Sequence, residues 1–223
     1  MNGRDRPLQD AMVNEVLDPW LQSLSAVHVR AVFVLGPDFS TADNSREVVS
    51  VLPESYRTAA LAMARSGAYG APWRKAKSPL VAWKNFGGQQ PDDERLWVDH
   101  CLESGALSLV RVDFPTSLDH GFECVILLSS ELADPGQVHS IAYSAQAIWP
   151  LLKEHVIAHR FGVSLREQEV LVMLAEGHTA KEAGTLLGLA ERTVTFHISN
   201  VMGKLRARNQ RSLILRACSV GLV

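Results

Sequence analysis

Apolar positions recur at helical spacing from the start of the chain. Leu8, Met12, Val16, Leu17, Trp20 and Leu21 predict a helix over 7–25, bent or broken near its end by Pro19. The β-branched run 27–35, closed by Gly36-Pro37, predicts a strand, and a shorter strand follows around 48–52. Pro53-Glu54 opens a helix to about Arg65, with the proline at the first helical position. Residues 67–90, interrupted by Gly and Pro, read as irregular and carry the aromatics Tyr69, Trp73, Trp83 and Phe86. A helix is expected over 92–104 with Leu96, Trp97 and Cys101 on its buried face. Two strands, 106–114 and 122–129, flank a turn at 115–121 and form an antiparallel hairpin, and a long helix over 137–160 is kinked at Pro150. Helices and strands in this order give an α+β pattern, without the regular alternation of a doubly wound sheet.

The last sixty residues are patterned differently. Ser164-Leu165-Arg166-Glu167 and Thr179-Ala180-Lys181-Glu182 are two capping boxes, each a hydroxyl followed three residues later by Glu. The first opens a helix with Leu165, Val170, Leu171 and Leu174 on its apolar side and ends at Gly177; the second opens a short helix ending at Leu187, with Gly188 making the turn. A third helix runs from Glu191 to about Arg206 and a fourth from about Arg211 to Val220. In the third, Val194, Ile198, Val201 and Leu205 form one stripe, and Arg192, Thr193, Thr195, Ser199, Asn200, Gly203 and Lys204 make a polar or small surface. A short helix, a glycine turn and such a helix have the geometry that lays a recognition helix in the major groove. A solvated face on a helical bundle fits the same pattern.

Charge sharpens the division. From Phe161 onward eight Lys/Arg stand against five Asp/Glu, net +3, and the first 160 residues carry 14 against 19, net −5. With 47% hydrophobic and 21% charged residues the chain reads as soluble and globular, with two domains, 1–160 and 161–223. It lacks an apolar run long enough to span a membrane and an apolar signal core, so a cytoplasmic protein is expected. The three cysteines lack paired spacing and read as reduced thiols; no metal site, cofactor or catalytic motif is expected, and an enzyme is disfavoured.

The segment from Phe161 to Val223 resembles the LuxR-type helix-turn-helix domain. The matching residues are Ser164-Leu165-Arg166-Glu167-Gln168-Glu169-Val170-Leu171, Ala175-Glu176-Gly177-His178-Thr179, Glu191-Arg192-Thr193-Val194-Thr195-Phe196-His197, Asn200, Lys204-Leu205, Asn209 and Gly221-Leu222. Phe196-His197 is closer to the quorum-sensing branch than to the response regulators. The resemblance implies double-stranded DNA as partner, with Thr195 and Ser199 at base-reading positions and Lys181, Arg192, Thr193, Asn200 and Lys204 holding phosphates. Phe196 would meet a thymine methyl or cover its neighbours, and His197 would pack beside the buried stripe. Ala190 departs from the usual Ser or Thr N-cap, a loss of about 1 kcal/mol that should fray the helix end.

The same resemblance implies an N-terminal acyl-homoserine-lactone-binding-like domain, an α/β/α sandwich on an antiparallel sheet, before an all-α four-helix domain. Leu52-Pro53-Glu54-Ser55-Tyr56 resembles its aromatic-Pro-x-x-Trp segment, and Ser78 to Trp83 resembles the stretch ending in its second Trp. Ligand positions map to Leu52, Tyr56, Ala60, Tyr69, Ala71, Trp73 and Trp83. Tyr56 replaces an indole donor, and Ala71 replaces a carboxylate that pairs with the ligand amide, which makes an ordinary lactone response unfavourable. Three readings stay open: a less amide-dependent small molecule, a lactone bound in altered fashion, or a packed dimerisation domain without ligand. The whole is expected to be a homodimeric transcription regulator joined through the long helix and the last helix (Leu213, Ile214, Ala217, Val220). The rival is an anti-activator that heterodimerises with a related regulator.

Overall fold

The computed structural model describes residues 18–24, 27–37, 46–66, 81–115 and 121–223. The chain forms two compact units, one reaching Leu152 and the other starting at Lys153. In the first, residues 18–23 are helical. They are followed by β1 (Val29–Pro37), β2 (Arg46–Leu52), a 3-10 turn (Glu54–Tyr56) and α1 (Arg57–Arg65). Then come β3 (Val81–Asn85), α2 (Asp92–Glu103), β4 (Ser108–Pro115), β5 (Gly121–Leu128) and α3 (Pro135–Phe161), whose residues 153–161 fall in the second unit. The strands make one antiparallel sheet in the order β2-β1-β5-β4-β3.

Strand alternation gives the sheet two apolar faces, and helices cover both. On one, Ala31, Phe33, Leu35, Leu109, Val125 and Leu127 pack with Ala59, Ala60 and Met63 of α1 and Trp97, Val98 and Cys101 of α2. On the other, α3 brings Trp149 flat against Phe114, with ring centroids 4.0 Å apart, and near Phe122. Trp20 donates its Nε1–H to Ser144 of α3 at 3.0 Å, fixing the first helical segment to the same layer. The result is the expected α/β/α sandwich.

Several expectations are corrected. Within the stretch read as irregular, 81–85 is the edge strand β3, paired with β4. β1 runs through Gly36 to Pro37 instead of stopping there. Pro53 sits at the N-cap of the 3-10 turn, not at the first helical position. Leu96 is 67% exposed while its neighbour Trp97 is buried, because α2 lies with its Trp97–Cys101 edge on the sheet. Among the described residues no helix is long and apolar enough to cross a membrane.

One end of the α1/α2 face is ionic. Arg46 of β2 donates to Glu123 of β5 at 2.9 Å and to the carbonyls of Met63 and Ser66 at the end of α1. Arg111 of β4 lies 3.4 Å from Glu123 and pairs with Asp113 at 2.7 Å. Burial pushes the Asp113 carboxyl up to about 6; Arg111 beside it pulls the other way and Glu123 adds to the rise. An unfolded aspartate titrates near about 4, so the folded chain binds this proton more tightly. That contribution is present below about pH 4 and lost as pH rises through about 6. All five tryptophans precede residue 150, so Trp fluorescence reports this unit alone. The urea midpoint it gives should change less between pH 4 and pH 7 in Asp113→Asn than in the wild type; equal slopes would contradict the account.

Candidate nucleic-acid interface

The second unit is four helices: α4 (Leu165–Ala175), α5 (Ala180–Leu187), α6 (Glu191–Lys204) and α7 (Gln210–Val220). Both expected capping boxes form. Ser164 accepts from the Glu167 N–H and Glu167 reaches back to the Ser164 N–H; Thr179 and Glu182 do the same for α5. Asn209 and Ser212 make a third at α7.

α5, its turn and α6 form the helix-turn-helix. Gly188 closes α5 in the left-handed region (φ 66), which glycine adopts without a steric penalty. The Leu189 N–H then donates to the Gly184 carbonyl at 2.8 Å, folding the turn back on α5. A Cβ at Gly184 would stand 2.8 Å from the Leu189 carbonyl oxygen, so the turn and α5 meet at a distance only glycine permits. α6 begins at Glu191 although Ala190 supplies no side-chain cap; the N–H groups of Thr193 and Val194 donate to the Ala190 carbonyl.

On α6, Val194 and Val201 are fully buried, Leu205 at its end is buried and Ile198 is half-buried. Arg192, Thr195, Phe196 and Ser199 are exposed, Phe196 at 62%; Thr193, His197 and Asn200 are half-buried beside the stripe. Thr195 spends its hydroxyl proton on the Glu191 carbonyl at 3.0 Å, which leaves its oxygen lone pairs and its methyl for a partner. Lys181 is exposed on α5.

Lys204 differs from its sequence reading. Its ammonium donates to both oxygens of the buried Glu167, at 2.8 and 2.6 Å, and so pins the end of α6 to the start of α4. Burial pushes the Glu167 carboxyl up, but the bonds from Lys204 and from the Ser164 N–H outweigh it and hold it below the ordinary carboxylate range. A phosphate would have to compete with that pair. Leu165, expected on the apolar side of α4, is exposed. Leu213, Ala217 and Val220 are buried in the domain's own core and are not available to a second subunit; Leu215 is exposed instead.

The four described candidates for ligand residues in the first unit lie on two different sides of the sheet. Tyr69, Ala71 and Trp73 lie outside the described residues. Tyr56 and Ala60 belong to the packed core on the α1/α2 face, and the Tyr56 hydroxyl donates to the Ser104 carbonyl at 2.5 Å. Leu52 pairs with Val32 and Trp83 with Val110, which puts both on the α3 side of the sheet. They stand on opposite edge strands, about 19 Å apart by strand spacing. Trp83 is 46% exposed. Register therefore sets Leu52 and Trp83 on the opposite side of the sheet from Tyr56 and Ala60. A recess of about 320 Å³ lies elsewhere, between α1 and α2, lined by Leu61, Arg65, Leu96, Trp97 and His100 among others.

A short helix, a glycine turn and an amphipathic second helix with a polar outer face define a helix-turn-helix protein. Residues 162–217 match the family model for bacterial regulatory proteins, luxR family. The chain is 31% identical over 160 residues to the transcriptional activator protein SolR of Ralstonia solanacearum, covering 66% of this chain and 65% of that one. It is 34% identical over 97 residues to the regulatory protein SdiA of Escherichia coli K12, covering 44% and 40%. The chain thus spans 65% of the first of these relatives and 40% of the second. A solved structure of SdiA in complex with octanoyl-rac-glycerol is similar at 18% identity and a TM-score of 0.48, covering 98% of this chain and 94% of that one. Residues 162–217 thus form a domain of the luxR family of bacterial regulatory proteins, and the similarity to a transcriptional activator extends beyond that domain.

The helix-turn-helix geometry makes paired expectations. Gly184→Ala should destabilise the domain by about 1–3 kcal/mol, because the methyl meets backbone that cannot swing away. Gly203→Ala, in α6 with nothing within 4 Å of its would-be Cβ, should stabilise by up to about 1 kcal/mol. Thermal unfolding followed by circular dichroism reads both; the same sign for the two would refute the close-approach account.

Proposed function

We propose that the chain is a cytoplasmic, homodimeric transcription regulator that binds double-stranded DNA through α6, with residues 161–223 as reader and residues 1–160 as sensor and dimerisation domain. The observation behind this reading is the face of α6 left outside the core: Arg192, Thr195, Phe196 and Ser199, with no acidic side chain on the helix after Glu191. Thr195, Phe196 and Ser199 would face base edges, and Lys181, Arg192, Thr193 and Asn200 the phosphates. Neither Thr nor Ser makes the bidentate contacts that Arg or Asn can, so part of the specificity would come from DNA shape.

DNA binding by the full chain between about 50 and 200 mM salt tests this. The expected result is steep salt dependence and preference for a selected site. Thr195→Ala with Ser199→Ala should weaken the preference, leaving the part read from DNA shape, while binding to random-sequence DNA stays in place. The rival reading, an anti-activator that heterodimerises with a related regulator, draws on the same short side chains and on the Thr195 proton already committed to Glu191. Ala190→Ser separates the two. A reader should gain about fivefold in DNA affinity from a cap of about 1 kcal/mol, whereas a blocker binds no DNA in either form.

Dimerisation is assigned to α3. From Pro135 to Leu152 it contains no Asp, Glu, Lys or Arg, and its outer side presents Ser140, Tyr143, Ala147 and Leu151, with Tyr143 75% exposed. An uncharged helix face of that length suits a subunit contact better than solvent. Tyr143→Glu should convert a sedimenting dimer into a monomer with its Trp fluorescence unchanged; a dimer that persists would move the contact elsewhere. A small-molecule signal, if sensed here, is better accommodated by the α1/α2 recess than by the core around Tyr56 and Ala60, on grounds of space.

A further inference from the structure

Eight Lys and Arg residues serve the second domain, and several are already engaged within it. Lys204 is held by Glu167, and Arg166 pairs with Glu169 and donates to the Leu187 carbonyl. Arg216 donates to the carbonyls of Leu205 and Arg206, at 2.7 and 2.6 Å. Three others, Arg206, Arg208 and Arg211, crowd into the turn between α6 and α7; all three are exposed, and none of the domain's described ion pairs uses them.

Arg206 is in the left-handed region, φ 52. The other left-handed positions of this domain, 162, 177, 188 and 221, are all glycine. A side chain with a Cβ resists that conformation, so the turn carries an arginine at a position where glycine would fold more easily. None of the domain's described hydrogen bonds or ion pairs uses its side chain to offset that cost. The backbone around it is firmly set: Arg216 holds the two carbonyls, Ala207 N–H donates to the Met202 carbonyl at 2.8 Å, and Ser212 Oγ accepts from the N–H groups of Arg208 and Asn209. Three positive side chains therefore project from a rigid turn at the end of the helix proposed to read DNA. The start of α7 adds the positive end of an 11-residue helix dipole.

We propose that Arg206, Arg208 and Arg211 form a phosphate-gripping turn that clamps the DNA backbone beside the end of α6, taking the role the sequence assigns to Lys204. This rests on the DNA-binding reading and adds a second contact surface to it. The contact is to backbone phosphates, so it raises affinity for every sequence alike and reads none.

The test uses the full chain and a random-sequence duplex of about three helical turns over a salt series. Per subunit bound, each of Arg206→Gly, Arg208→Gln and Arg211→Gln should lower the slope of log affinity against log salt by about 0.9 and weaken binding about threefold at moderate salt. The triple variant should lose about thirtyfold and keep its preference for a selected site. Arg206→Gly should also raise the domain's thermal midpoint, since glycine suits φ 52. Higher stability with weaker DNA binding is a combination that a purely structural arginine would not give. Variants that bind DNA with the wild-type slope overturn the proposal, even where they fail to bind an acidic protein surface. A wild type that binds no duplex overturns the DNA reading itself, and the two failures are told apart by that first measurement.

Discussion

The placement of α6 depends on one buried carboxylate. Glu167 closes the capping box that starts α4 through Oε2 and, with both oxygens, holds Lys204 at the last turn of α6, 37 residues along the chain. A buried carboxylate is tolerable only when its lone pairs are filled, and here a backbone N–H and an ammonium fill them. The far end of the helix is fixed by the Leu189-to-Gly184 return and the glycine approach beneath it, and the middle by the apolar stripe. Held at three points, α6 does not need a side-chain cap at Ala190 to begin where it does. Tertiary contacts set where the uncapped first turn begins, and the missing side-chain bond at Ala190 remains a cost of about 1 kcal/mol in holding that turn.

The N-terminal sheet solves a related problem with more charge. Arg46, Arg111, Asp113 and Glu123 come from three strands and meet on one face, where burial would be costly for any of them alone. A one-residue slip of β4 against β5 would send Arg111 into the layer occupied by Trp149 and Phe122, so the cluster opposes register errors as well as tying β2 to β5. The cost is visible in Asp113, whose carboxyl is pushed toward neutrality by its surroundings despite the guanidinium beside it.

Much of this was legible in the sequence wherever the signal was local. The capping boxes at Ser164 and Thr179, the Gly188 turn and the hairpin around 115–121 rest on chemistry within a few residues, and the structure has each of them. Periodicity also identified which residues share a face. It could not say which face is covered: Leu96 and Leu165 are apolar at helical spacing and still point to solvent, while Leu213, Ala217 and Val220 turn inward. β3 was hidden because Val81-Ala82-Trp83-Lys84-Asn85 is a short, mixed edge strand following Ser-Pro, with its pairing supplied from β4 more than twenty residues later. The side of the sheet on which the described ligand candidates lie was hidden for the same reason. Sheet register, which puts Trp83 on one side and Tyr56 and Ala60 on the other, is long-range information that motif spacing does not carry. The Lys204–Glu167 pair was equally out of reach, since its members stand 37 residues apart.

Taken together, the two domains separate tasks that one DNA-reading helix usually combines. With Thr195 partly committed to its own backbone and Ser199 too short to fork onto a base, α6 offers shape, two hydroxyl oxygens and the exposed Phe196 ring, a modest source of discrimination. Affinity then has to come from charge outside the groove and from presenting two copies at once. The arginine turn after α6 supplies the first, and the uncharged outer side of α3 is suited to the second. A reader built this way would depend on the proposed dimer more than one with bidentate base contacts, because a single copy bound mainly through phosphates would slide along any sequence. Control of the N-terminal domain's pairing would then control DNA binding without any change in α6 itself.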